Sequence, residues 1–253
     1  MYKKTTIYLS IIFLLVIIPQ LSVSAQVDEF KMANKFYQSK DYDSAIRLYK
    51  SILKQGRESA ALYYNLGNAY FKKGDIGHAV LYYLKAKRLD PSDDDIRQNL
   101  KFAKQFSKIQ MEGVTLNPIN NFFVNIVDPY RLSTLAWMSS IFFILFFVLL
   151  IIRYGIGINT IFVKIGIIVL LILLVISSSL TTFKYHNEYI IHRAVIVSEN
   201  SPVYTGPSNH SDIEFEGVSG LVVEILGESS NYYHVLFENK RQGWIKKEYL
   251  AKI

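Results

Sequence analysis

The sequence predicts a multidomain membrane protein in three parts: an all-α solenoid of helical repeats, a two-helix transmembrane hairpin and a small all-β barrel. Three observations carry this reading. A shift of 34 residues lays one stretch on another, with Ala33 onto Gly67, Phe36 onto Tyr70, Asp41 onto Asp75, Ala45 onto Ala79 and Tyr49 onto Tyr83. Two stretches, between Arg131 and Arg153 and between Lys164 and Lys184, hold no charged residue. Beyond Lys184 the apolar period changes from helical to short β-rich runs.

Residues 1–25 read as a signal peptide. Lys3 and Lys4 precede an apolar run from Ile7 to Ile18, and Val23-Ser24-Ala25 forms a small-residue cleavage site before Gln26. The run is short for a membrane span, which favours cleavage. Losing Lys3 and Lys4 lowers the formal net charge from +7 by two.

Residues 26–108 form the helical-repeat domain, two repeats plus a capping helix. Small residues at Gly67, Ala79 and Ala86 let antiparallel helices approach closely, and Tyr63, Leu66, Tyr70 and Tyr83 fill the space beside them. A lone hairpin cannot bury such a face, so each unit needs a neighbour. The segment Ser92 to Ser107, with Ile96, Leu100 and Ala103 on one stripe, is the expected cap. Its Asp93, Asp94 and Asp95 suit a helix N-terminus, where unpaired amides carry partial positive charge. The pattern Tyr63, Leu66-Gly67, Tyr70, Gly74-Asp75, Ala79, Tyr83, Ala86, Pro91 resembles the tetratricopeptide (TPR) signature, with Tyr63 where that family usually has Trp. The first unit, roughly Gln26 to Ser59, is degenerate: Ala33 and Lys40 stand where the second has Gly67 and Gly74.

A linker, 109–131, leads to the spans at 132–152 and 161–183. At 1.5 Å per residue, about 19–21 uncharged residues cross the roughly 30 Å hydrocarbon core. The runs are apolar on every side, unlike a surface helix. Gly155 and Gly157 lie in the short connector, so the pair is a hairpin with both outer ends on one side. With an exported N-terminal domain, the C-terminal domain is expected outside the cytoplasm too. No ionisable residue lies at mid-depth, so a proton or ion pathway has no candidate.

In residues 193–253 the runs Ala194–Val197, Ile213–Phe215, Leu221–Leu226, Tyr232–Phe237 and Gly243–Ile245 are five expected strands, separated by Gly, Pro, Asn and Ser. The order Val203-Tyr204-Thr205-Gly206-Pro207-Ser208, Gly217, Leu221-Val222-Val223 and Gly243-Trp244-Ile245 resembles a bacterial SH3 (SH3b) domain. That resemblance implies cell-wall peptides as ligands, with Tyr204, Tyr232, Tyr233 and Trp244 as the aromatic surface. Packing of Trp244 in the barrel is the competing expectation.

No site for chemistry emerges. Cysteine is absent, which removes disulfides, thiol nucleophiles and thiolate metal sites. His186, Glu188 and His192 do not have a zinc spacing, and no nucleophile elbow or phosphate loop occurs. The expectation is therefore no catalytic residue, no metal and no cofactor. Basic residues are dispersed over Lys72-Lys73, Lys87-Arg88, Lys240-Arg241 and Lys246-Lys247, without a nucleic-acid recognition motif. They fit solvated faces or attraction to membrane lipid.

The remaining site is the repeat groove. In TPR domains that clamp a carboxylate, two asparagines and several cations hold it; Asn34 and Asn65 fall at the asparagine positions, but Phe30, Asp95 and Asn99 occupy the basic ones. The groove instead offers Phe30, Asn34, Tyr37, Gln38, Tyr64, Asn65, Asn68, Phe71 and Lys72, a surface suited to a partner helix or extended segment. The order of domains resembles the BatE-type proteins of bacterial aerotolerance (Bat) operons. This implies a multi-pass inner-membrane protein with periplasmic domains, and partners that are integral membrane proteins with von Willebrand A domains and a MoxR-type ATPase. The expected function is a non-enzymatic scaffold; the alternative is a peptidoglycan-binding or wall-sensing protein acting through its SH3b domain.

Overall fold

The computed structural model describes residues 29–106 and 118–253; the signal segment 1–25 and the first part of the linker lie outside them. Five helices open the described chain: α1 (29–38), α2 (Tyr42–Lys54), α3 (Ala60–Lys73), α4 (Ile76–Leu89) and α5 (Asp94–Phe106). Two units, α1–α2 and α3–α4, repeat one another to the hydrogen bond. Asp41 and Asp75 cap the second helix of each, accepting from the N–H of Ser44 at 3.1 Å and of His78 at 3.0 Å. At the preceding turn, the N–H groups of residues 40 and 74 bond to the carbonyls of Tyr37 and Phe71, and those of Asp41 and Asp75 to Phe36 and Tyr70. This turn demands the left-handed region. Gly74 takes it freely at φ 88°, whereas Lys40 holds φ 64° at a cost of about 1 kcal/mol.

Between the helices of the second unit the approach is set by Gly67. A Cβ there would stand 2.8 Å from the Tyr83 ring. Ala45, Tyr49, Leu66, Ala79 and Tyr83 are buried in one core, and α5 closes its end with Leu100 and Ala103. The N-terminus of α5 is capped by Asp93, which accepts from the Ile96 N–H at 3.1 Å.

A short helix, α6 (Pro118–Val127), leads to α7 (Leu132–Tyr154) and α8 (Ile161–Tyr185). The last two are long and apolar enough to cross a membrane. They pack as a hairpin in which Gly166 faces Leu149, and Ser139 shares a hydrogen bond with Thr181 at 3.2 Å. Ser140 and Ser179 instead bond back to their own helices. Beyond α8 the chain continues as a π-helical turn, His186–Ile190. Two ion pairs tie the approach to α7 to the repeats: Lys87 to Asp128 at 2.7 Å and Arg131 to Asp90 at 3.2 Å.

The remainder is one antiparallel sheet of seven strands. They are β1 (Arg193–Ile196), β2 (Ser201–Tyr204), β3 (Ile213–Gly217), β4 (Val222–Ser229), β5 (Tyr232–Leu236), β6 (Gln242–Lys246) and β7 (Leu250–Lys252), in the order β3-β2-β6-β5-β4-β1-β7. Two strands exceed the five expected from the sequence. Pro202 interrupts the β signal of β2, and β7 is only three residues long. Val203, Val223, Val235, Phe237 and Ile245 form the sheet's own core.

The sheet does not stand apart from the repeats. Val195 of β1, with no exposed surface, belongs to the helical core, with Val197, Val222 and Ala251 packed beside it. The contact depends on Gly77 of α4: a Cβ there would lie 2.7 Å from Val197 Cα and 2.8 Å from the Ile196 carbonyl oxygen. Both atoms are main chain and cannot swing aside. We therefore expect Gly77→Val to cost about 1–3 kcal/mol by overpacking and to pry β1 from α4. Hydrogen exchange would show faster amides in β1 with α2 and α3 unchanged; unaltered β1 exchange would refute this packing.

Candidate functional site

The repeat spacing brings α1, α3 and α5 onto a common face, and its amides are joined in a ladder. Asn34 Oδ1 accepts from the Tyr49 hydroxyl at 2.6 Å and from Asn65 Nδ2 at 3.0 Å. One repeat on, Asn68 Oδ1 accepts from the Tyr83 hydroxyl at 2.6 Å and from Asn99 Nδ2 at 3.2 Å. Asn99 Nδ2 also donates to the Tyr64 hydroxyl at 2.8 Å. Burial pushes the Tyr49 hydroxyl pKa up to about 12 and that of Tyr83 up as well, so both stay protonated donors. The ladder thus holds α1, α3 and α5 in register with the helices behind them.

Other expected groove residues fall around this ladder. Phe30 packs on Tyr49 with ring centroids 6.0 Å apart, Tyr37 on Tyr42 at 5.6 Å and Tyr64 on Tyr83 at 6.0 Å. Gln38 and Lys72 are exposed at the rim. Phe71 meets two residues of the cap, Phe102 at 5.6 Å and Phe106 at 5.5 Å. Those two rings lie 5.0 Å apart, and each keeps half of its surface exposed. The amides serve largely to build the face; its outward apolar feature is this three-ring cluster.

Asn99, Phe102 and Phe106 were not among the sequence-derived groove residues. A signal for the rings exists: Ile96, Leu100 and Ala103 form the inward stripe of α5, and Phe102 and Phe106, one turn apart, fall off it. The signal for Asn99 is its place one repeat beyond Asn65.

On the sheet, Tyr204, Tyr232 and Trp244 come together, and Tyr233 does not join them. Trp244 is half-buried outside the sheet core, stacked on His234 at 4.8 Å and opposite Tyr204 in register. Tyr204 and Tyr232 meet edge to face at 5.8 Å. Tyr233, next along β5, points to the other side, where Lys247 and Lys252 lie about 5 Å from its ring. Among the described residues no group of three His, Asp or Glu side chains is placed to hold a metal ion. His192 Nδ1 lies 2.8 Å from the Ile190 carbonyl oxygen, and His78 pairs with Asp75.

Residues 30–94 match the tetratricopeptide repeat family model, which spans both helical units. Residues 30–94 are therefore a TPR region, a type of repeat whose general role is to bind other proteins. No curated protein matches the chain.

Because the Tyr83 hydroxyl is held by Asn68 within the core, Asn68→Ala should cost about 1–3 kcal/mol, the penalty for a buried donor left without its acceptor. Tyr83→Phe should cost less, and adding it to Asn68→Ala should cost little more. Thermal unfolding of the three variants checks this; full additivity would exclude the hydrogen bond as the cause.

Proposed function

We propose that the chain is a non-enzymatic, membrane-anchored scaffold whose α1–α3–α5 face docks other envelope proteins. The observation that carries it is the Phe71–Phe102–Phe106 cluster, partly exposed where α5 packs against the TPR region. Clustered aromatic rings are the usual energetic centre of a protein interface, because each buries a large area at small entropic cost. The face carries little charge, so the partner segment it fits is apolar or aromatic. As the likeness to aerotolerance-operon proteins implies, the partners are integral membrane proteins with von Willebrand A domains, acting with a MoxR-type ATPase.

In this reading α7 and α8 anchor the scaffold in the bacterial inner membrane, with the TPR region and the SH3b-like sheet on the periplasmic side. Exposed Trp137, Tyr130, Tyr185 and Tyr189 near one end of the hairpin support it, since amphipathic rings settle at the membrane interface. So does the contact between β1 and α4: regions separated by two spans meet only when both lie on one side.

A second reading, wall binding through the sheet, is favoured by Trp244, which lies outside the sheet core and keeps part of its surface exposed beside Tyr204 and His234. Photo-crosslinking in intact membranes separates the two. A crosslinker at Tyr64 should capture integral membrane proteins, and Phe102→Ala with Phe106→Ala should cut that yield at least tenfold. Capture of wall fragments at Trp244, with nothing specific at Tyr64, would replace the scaffold by the sensor.

Topology has an independent check, because the chain contains no cysteine. A cysteine introduced at the exposed Thr205 should react with an impermeant maleimide in cells whose outer membrane is permeabilised. Reaction only after the inner membrane is broken would reverse the orientation.

A further inference from the structure

We propose that the cleft enclosed by α4, α5, α6, the end of α8 and the sheet binds a phosphate-bearing anion, supplied by an anionic lipid headgroup or by free phosphate. The lipid source rests on the membrane-anchored reading above; the phosphate chemistry does not.

The cleft holds about 710 Å³, enough for a lipid headgroup. Its charges do not balance. Lys87 is paired with Asp128 and Lys184 with Glu188, each at 2.7 Å. That leaves Arg88, Lys104, Arg193, Lys240 and Lys252 facing a single further acidic side chain, Glu238. Arg88 donates to the Ile253 oxygen at 3.3 Å and Arg193 to the Asn187 carbonyl at 3.0 Å, which fixes both guanidinium groups at the wall. Lys104, Lys240 and Lys252 have no carboxylate within 4 Å among the described residues, although the Lys252 Nζ lies 4.9 Å from the Tyr233 ring beside the cleft lining.

Lys104 is the most telling of the three. It lines the cleft, and the protein around it disfavours its charge. The atoms packed around it lower its pKa, Glu238 and Asp128 oppose this, and Lys87 and Arg193 lower it further. A cation whose charge is disfavoured first by desolvation is held at a cost that a bound anion lowers. Lysines converging from separate elements act as point charges, which suits a tetrahedral phosphate more than a planar carboxylate.

Position then favours a lipid. The floor, Lys184 to Tyr189, is the direct continuation of the apolar helix α8, and Val124 and Val127 of α6 supply an apolar wall. Phe122, Phe123 and Ile126 of α6 are exposed, and Phe123 packs on Phe183 of α8. An apolar helix laid beside the end of a span, below a basic pocket, is the setting in which anionic headgroups are held.

The test uses the full chain in detergent, stripped of lipid, and its Lys104→Gln/Lys240→Gln/Lys252→Gln variant. Three probes are titrated: short-chain phosphatidylglycerol, short-chain phosphatidylcholine and inorganic phosphate. Wild type should bind phosphatidylglycerol at least tenfold more tightly than the triple variant, and bind phosphatidylcholine no better than the variant does. Competition by inorganic phosphate at low concentration would identify the free anion as the ligand. The proposal fails if wild type and triple variant bind all three probes alike. Lys240→Gln alone, at an exposed loop position, should weaken binding about threefold and guards against a folding defect in the triple variant. Resistance of the chain to alkaline extraction from membranes tests the anchor separately. Extraction with lysine-dependent phosphate binding intact would remove the lipid source and keep the site.

Discussion

The arrangement of this chain depends on there being no side chain at residue 77. Main-chain atoms of β1 and the turn after it sit where a Cβ of α4 would project, so the sheet is seated on the helix backbone. Val195 then enters the repeat core instead of the sheet's own, and the two hydrophobic cores become neighbours. Burying one valine in this way is worth about 1.5–3 kcal/mol. A contact of that size fixes a sheet that the sequence joins to the repeats only through two long apolar helices. The same seating decides what stays open: α4 is an outer helix, so its occupation leaves α1, α3 and α5 uncovered.

The repeats reach this geometry with unequal sequences because the constraint is carried by a few atoms. The Tyr49–Asn34 and Tyr83–Asn68 bonds have the same length, and the Asp41 and Asp75 caps differ by a tenth of an ångström. Lys40 in the position of Gly74 shows that one strained residue is tolerated where the surrounding bonds over-determine the turn. A solenoid of two units and a cap has few interfaces, so these local bonds carry a larger share of its stability than they would in a long array.

Helices were legible because their signals are local and periodic. The 34-residue register located both units, and the uncharged stretches located two long apolar helices, since composition over 20 residues averages out exceptions. The sheet was legible only where β-branched and aromatic residues run together; β2 contains Pro202 and β7 is too short to register. Docking at Gly77 was not legible at all. Nothing in Asp75-Ile76-Gly77-His78 distinguishes a glycine needed for a remote strand from one tolerated in a helix. The amides of the candidate face were read as ligand-binding, whereas the register itself pairs Asn34 with Tyr49 and Asn68 with Tyr83 as structural bonds. The cationic cleft draws its lysines from α4, α5, α8, a turn and β7, so no window of sequence contains it.

Helix α5 joins the two surfaces. Phe102 and Phe106 lie one turn apart on the side of the docking face, while Lys104, between them and about 200° around the helix, enters the cleft. The helix is held from behind by Leu100 and Ala103 in the repeat core and by Ile96 in a smaller cluster with Tyr63 and Ala86. The ring cluster and Lys104 therefore stand on opposite sides of the same helix, and their positions are set by the same buried stripe. Both surfaces rest on one short helix with a narrow buried stripe. A substitution that disturbs Leu100, Ala103 or Ile96 would therefore displace the rings and Lys104 together, because the buried stripe is what both surfaces share.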